Sequence, residues 1–181
     1  MPLYNYKPRF VPYIQDGSKF HTIRAIRKHP CRVGDMMYHY TGLRTKYAKK
    51  IIEPTHCTAA LSIFIYPERI FLADVIMNIH DSNALLSRPV DKQMKDIKQV
   101  LSGYELTTRD KCDLAFNDGF RFTDEDTVKL IKECEIISTL GLFLRFWNQT
   151  HQLPFIGHLN CWHKEPHRVA YIQNTCNYLP F

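Results

Sequence analysis

Gly17-Ser18-Lys19-Phe20-His21-Thr22-Ile23-Arg24 puts a glycine turn, an ammonium, an imidazole, a hydroxyl and a guanidinium into eight residues, and Val33-Gly34-Asp35 follows close behind. Few purely structural segments need that combination. The stretch reads as a turn feeding a strand: Asp16-Gly17 offers a residue free to take positive φ, and Phe20 to Ile26 runs as a strand. Strand side chains alternate faces, so Thr22 and Arg24 project together whereas Phe20 and Ile23 do not share a face. Strict alternation sets Lys19 opposite Thr22. Lys19 reaches Thr22 only if it lies in the turn before the strand begins, which is a specific demand on the fold.

Working outward, Phe10 to Gln15 reads as a short turn or helix ahead of Gly17, and Asp35 to Thr41 as a second strand. Cys57 to Tyr66 and Ile70 to Ile79 are apolar, β-branched runs parted by Pro67-Glu68-Arg69, as neighbouring strands of one barrel wall would be. From Ser82 the period becomes helical. Asp91 caps a helix carrying Met94, Ile97 and Leu101, with Gly103 as its stop. Thr107 or Thr108 caps a second helix that ends at Asp118-Gly119, and Thr123-Asp124-Glu125-Asp126 opens a third. A fourth, about 138 to 150, turns Leu140, Phe143, Leu144 and Trp147 to the core, and Pro154 precedes a last strand, Phe155 to Trp162. No internal repeat or low-complexity tract interrupts this order. The fold class is therefore α+β.

The chain has 181 residues, 45% of them hydrophobic and 13% aromatic, enough for one domain with a real core. Neither a basic-apolar-small leader nor an apolar run of about 18 residues is visible, so a soluble, cytoplasmic protein without membrane contact is expected. Cys31, Cys57, Cys112, Cys134, Cys161 and Cys176 form no close pairs and read as reduced and mostly buried. Charge is unevenly placed. Residues 1–50 hold eleven Lys/Arg against Asp16 and Asp35, a net +9 within a total of +6, which leaves −3 for the rest. A basic third rich in tyrosine (Tyr4, Tyr6, Tyr13, Tyr38, Tyr40, Tyr47) suits a polyanion with stacking bases, or else is a solvated basic surface.

The pattern Gly17-x-Lys19-x-x-Thr22-x-Arg24 resembles the signature of the ASCH domain, a small PUA-like β-barrel family associated with RNA and modified nucleosides. Val33 to Tyr40 and Gly42-Leu43-Arg44-Thr45-Lys46 resemble the barrel strand and basic loop of phage-type members. Leu114 to Phe120 is similar to their Ala-x-x-acid-Gly-Phe element and Gly157 to Trp162 to their closing strand, all in the family's order. The resemblance covers roughly residues 8 to 162. It implies a mostly antiparallel PUA-like β-barrel with flanking helices and one helix between the Asp118-Gly119-Phe120 element and the last strand. The two helices read there suggest a helical insertion, at about 83 to 138, and the tail, 163 to 181, has no counterpart.

An amidohydrolase branch of the family is understood to use a Lys, a Thr and a Glu on an acylated cytidine. By match of motif the first two roles fall to Lys19 and Thr22, with the lysine as base and the hydroxyl as nucleophile. The third falls to Asp118, one methylene shorter than the family's Glu. A carboxylate at a helix C-terminus is disfavoured by roughly 0.3 to 1 kcal/mol, which a nearby Lys19 or Arg24 would offset; otherwise Asp118 is a turn-former before Gly119. Arg24 is read as binding a phosphate or base edge, or as a rim ion pair with Asp35. His21 joins it as a binding residue or else as a packing or rim residue, and Arg44, Lys46, Lys49 and Lys50 form a phosphate-contacting or plain solvated loop. His158, Cys161, His163 and His167 are zinc-type ligands close in sequence. On a strand, however, His158 and Cys161 face opposite ways, so neither a metal nor a cofactor is expected.

The expected function is thus RNA, nucleotide or modified-nucleoside binding in a cleft joining Lys19, Thr22, Arg24 and Asp118. Its enzymatic version hydrolyses an RNA phosphodiester or a nucleoside acyl-amide. The alternative is a phage-encoded interaction module or inhibitor, working in the host cytoplasm, that binds a protein partner through the inserted helices. As cleft polar residues, Lys19 and Thr22 are expected to tolerate alanine with less than about 1 kcal/mol of stability lost.

Overall fold

The computed structural model describes residues 2–120 and 139–176. Its centre is a five-stranded antiparallel sheet built from β2 (His21–Ala25), β6 (Ala59–Ile65), β7 (Ile70–Ala73), β8 (Tyr104–Glu105) and β9 (Phe155–Cys161), in the order β2-β9-β6-β7-β8. A four-stranded sheet lies beside it: β1 (Leu3–Tyr6) runs parallel to β3 (Met36–Thr41), which also pairs antiparallel with β4 (Lys49–Lys50) and β5 (Thr55–His56).

Every residue of β6, β7 and β9 is buried, because both faces of the large sheet are covered. Alternation sorts their side chains. Phe64, Tyr66, Phe71, Ala73 and Ile156 meet Met77, Leu85 and Ile97 of the segment that holds α2 (Ile79–Leu86) and α3 (Val90–Gln99). Leu61, Ile63, Ile65, Ile70, Leu72 and Leu159 point the other way. They meet Tyr4, Tyr6 and Met37 of the second sheet and residues of α4 (Thr108–Asn117), α5 (Thr139–Thr150) and α6 (Ala170–Cys176). Each fully buried aliphatic or aromatic side chain contributes about 1.5–3 kcal/mol, so this two-sided core carries the fold.

The structure bears out α+β with mostly antiparallel strands and amends the outline in several places. The described strands make two sheets, and they do not close into one hydrogen-bonded barrel. The run Ile70 to Ile79 is a strand only as far as Ala73. Ser62 Oγ donates to Val75 O at 2.6 Å and accepts from Met77 N at 3.0 Å, and this holds the chain off the sheet edge until Asn78 caps α2 through the amide of Asp81. α3 starts at Val90 with Pro89 at its N-cap, so Asp91 lies in the first turn, where its charge suits the helix dipole. Thr107 caps α4 in a capping box with Asp110, and α5 carries Phe143 and Trp147 into the core, both as expected. The helix expected from Thr123 lies outside the described residues. The tail is not an appendage. Tyr171 and Ile172 of α6 are among the most buried side chains of the main core.

Where the two sheets meet, His39 of β3 is wholly enclosed. It stacks on Tyr6 and lies 4.6 Å from the Trp162 ring, with the Tyr6 hydroxyl 3.2 Å from its Nδ1 and Thr55 Oγ1 2.8 Å from its Nε2. Burial lowers its pKa from 6.5 to about 4. The unfolded chain therefore takes up this proton first, and stability present above about pH 6.5 is lost as pH falls toward 4. Thermal denaturation should show a falling Tm between about pH 7 and pH 4.5, with a smaller fall in His39→Gln. An equal fall in the variant would contradict this role for His39.

Candidate functional site

The chain enters the site through a short 3-10 turn, Pro8–Phe10, and α1 (Val11–Gln15). Gly17 follows with φ 77°, and Asp16 Oδ1 accepts from the amide and hydroxyl of Ser18, closing a tight turn. Lys19 N donates to Tyr13 O at 2.7 Å. Lys19 thus precedes β2 and escapes its alternation, the condition under which it can share a site with Thr22. Its stem runs inward, 2% exposed, beneath the Phe10 ring.

At the far end of that stem lies Asp118, the C-cap of α4. Lys19 Nζ donates to Asp118 Oδ1 in a short contact and to the Asp118 carbonyl at 2.7 Å. One ammonium thereby pairs the carboxylate and satisfies an open carbonyl at the helix end, where a cation is favoured. Gly119 makes the approach possible. Its φ is 90°, and a Cβ there would stand 2.9 Å from Phe10 Cδ1 and 3.3 Å from Lys19 Cδ. Arg24 does not serve as the partner. Its Nη2 donates to Asn5 O at 3.0 Å and its guanidinium lies 5.1 Å from the Tyr6 ring, and these contacts take the place of the alternative rim pairing with Asp35.

Lys19, Thr22, Arg24 and Asp118 line one cleft of about 670 Å³. Its walls are aromatic, with Tyr6, Phe10, Tyr47, Phe146 and Trp147, and among the described residues that line it Asp118 is the only carboxylate. Burial is the largest influence on both members of the pair. It lowers the proton affinity of Lys19, against the pull of Asp118, and raises that of Asp118, against the pull of Lys19. Arg24 and Arg9 depress both. The two groups are drawn together on the pH scale, the condition for passing a proton between them.

The remaining expected residues divide. Lys49 lines the cleft, and the loop before it is exposed, with Arg44 at φ 69° and Lys46 over the Tyr47 ring. Lys50 is tied to Glu53 at 2.6 Å. His21 is completely buried, which fits the packing reading and leaves the ligand-facing one without an exposed surface. It backs the pair instead, with Nε2 3.8 Å from Asp118 Oδ1 and Nδ1 3.4 Å from the Tyr171 hydroxyl, and burial pushes its pKa far down. His158 Nε2 sits 2.8 Å from Met77 O, whereas Cys161 Sγ accepts from His163 N. Among the described residues no three His, Cys, Asp or Glu side chains gather as metal ligands, and none of the described helices is long and apolar enough to cross a membrane. Asn5 lines the cleft without having been singled out, and Tyr6 and Lys7 line it as members of the basic, tyrosine-rich first third.

Family models, curated proteins and solved structures were each compared with the chain, and none matches.

The burial of Lys19 overturns the expectation that its removal would be mild. Asp118→Ala, which strands a buried ammonium, should cost about 3–5 kcal/mol in urea denaturation. Adding Lys19→Met to it should restore a substantial part of that loss. Strict additivity of the two changes would contradict a coupled pair. Gly119→Ala should cost more than about 1 kcal/mol, since both the left-handed backbone and the Phe10 ring oppose a Cβ.

Proposed function

We propose that this chain is an RNA- or nucleotide-binding protein of the ASCH type, with the cleft around Lys19, Thr22, Arg24 and Asp118 as its recognition site. The observation that carries the reading is the Lys19 to Asp118 hydrogen bond at the floor of that cleft. It joins a glycine-turn motif to a helix end 99 residues later, the two elements the resemblance pairs. The volume lies in the range of small-ligand sites, roughly 300–1,000 Å³. Aromatic walls offer faces on which a base can stack, and Arg24, Lys7 and Lys49 meet the charge of a phosphate backbone. On this reading the two sheets are an opened variant of the family's PUA-like barrel.

A hydrolytic version is favoured by the state of the pair. Asp118, although shorter than the family's Glu, reaches Lys19 directly, and burial makes Lys19 readier to give up its proton. With its own proton passed to Asp118, Lys19 would accept the Thr22 hydroxyl proton as Thr22 Oγ bonds to the phosphoryl or acyl centre. The bond to the leaving alkoxide or amine breaks, Lys19 returns the proton to that group, and water then hydrolyses the ester on Thr22.

Anisotropy titration of a labelled single-stranded RNA at two ionic strengths tests the binding. Affinity should fall steeply with salt, and charge reversal of Arg44, Lys46, Lys49 and Lys50 should weaken it uniformly across sequences. Arg24→Ala should cost about tenfold or more. Thr22→Ala should spare binding and abolish any turnover. Absence of binding at low salt, or a stoichiometric protein partner and no nucleic acid in the native mass of material from cells, would overturn the proposal.

A further inference from the structure

A second cavity, about 200 Å³, lies beside the cleft, and Lys7 and Phe146 border both. Arg9 from the 3-10 turn and Arg145 from α5 also line it. Arg9 is held in an aromatic cage, its guanidinium carbon 4.7 Å from the Phe10 ring and 5.5 Å from each of Phe120 and Phe146. Rings on three sides fix the guanidinium before any ligand arrives. Yet its Nε and Nη2, and Nε of Arg145, are buried and have no hydrogen-bond acceptor among the described residues. Among the described residues no carboxylate pairs with Lys7, Arg9 or Arg145, whereas Arg69, Arg88 and Arg168 each have one. Three cations around one small cavity repel each other, and buried unused donors are costly. A tetrahedral oxyanion would relieve both, and the planar fork of arginine suits it.

We propose that the cavity between Arg9 and Arg145 is a phosphate subsite, which takes a phosphate group of the ligand whose base occupies the adjoining cleft. This deepens the nucleotide reading and rests on it only for the source of the phosphate. The cavity is smaller than the range typical of whole-ligand sites, and the shared wall at Lys7 and Phe146 makes the two spaces neighbours along one ligand. Arg9 links them electrostatically too, since its charge already bears on Lys19 and Asp118. A phosphate on Arg9 would offset that charge, so occupancy of the subsite is felt at the pair.

The test is an NMR titration of inorganic phosphate into the full chain, observing the arginine Nε–H signals, followed by calorimetry with uridine and its 5′- and 3′-monophosphates. Saturable shifts of the Arg9 and Arg145 signals are expected, lost in Arg145→Gln and partly retained in Arg145→Lys, which keeps the charge but not the fork. One of the monophosphates should bind about tenfold or more tightly than uridine, and Arg145→Gln should erase that advantage without changing uridine affinity. Unchanged arginine signals, or the same phosphate response in Arg145→Gln, would overturn the subsite even where RNA binds through Arg24. Saturable phosphate shifts with no affinity for uridine or its monophosphates would uphold the subsite and count against the nucleotide reading of the main cleft.

Discussion

Lys19 and Asp118 bury a charge pair between two parts of the chain that share no local structure, and the site around them depends on that contact. A buried ion pair is poor evidence of net stability, because desolvation consumes most of the attraction. Its consequence here is geometric. The ammonium reaches the carboxylate only if Gly17 turns the chain inward, Gly119 leaves room for the Phe10 ring, and α4 ends where it does. Apolar packing fills the volume, whereas the pair fixes how the turn before β2 and the end of α4 are set against each other.

The surroundings keep the pair poised. Among the described residues Asp118 is the only carboxylate lining the cleft, with Lys7, Arg24 and Lys49 on the same walls and Arg9 close enough to bear on its proton affinity. Behind it, His21 is held neutral by burial and touches the hydroxyl of Tyr171, which also accepts from Asn117 at 3.2 Å. The C-terminal helix thus supports the site from the rear. An excess of fixed positive charge that faces aromatic walls is an arrangement that an anionic ligand with a flat, stackable part would complete.

The turn at Gly17, the strand through Thr22 and Arg24, the Thr107 cap and the end of α4 at Asp118 were all legible, because each rests on local chemistry: positive φ, alternation, a capping box, a C-cap. The convergence of Lys19 and Asp118 was legible only through the resemblance, since no spacing rule spans 99 residues. What escaped depends on tertiary contacts. β1 is a four-residue strand whose partner, β3, lies more than thirty positions away and runs parallel to it. The early end of β7 follows from one serine hydroxyl, that of Ser62, bonded to Val75 and Met77. The depth of His21 follows from α6, a helix in a tail that gave no signal. The closed barrel was implied by the resemblance, and a match in short motifs does not say whether sheet edges meet.

The central claim is that one aromatic, basic cleft floored by Lys19 and Asp118 is where this protein meets nucleic acid. Backbone and indole chemical-shift mapping during titration with a short single-stranded RNA tests it most directly. The account predicts that the largest perturbations fall on Lys7, Thr22, Arg24, Gly42, Lys49 and the Trp147 indole, residues far apart in sequence that line the same space. Perturbations confined to α2 and α3 on the opposite face of the large sheet, or none at saturating RNA and low salt, would contradict it.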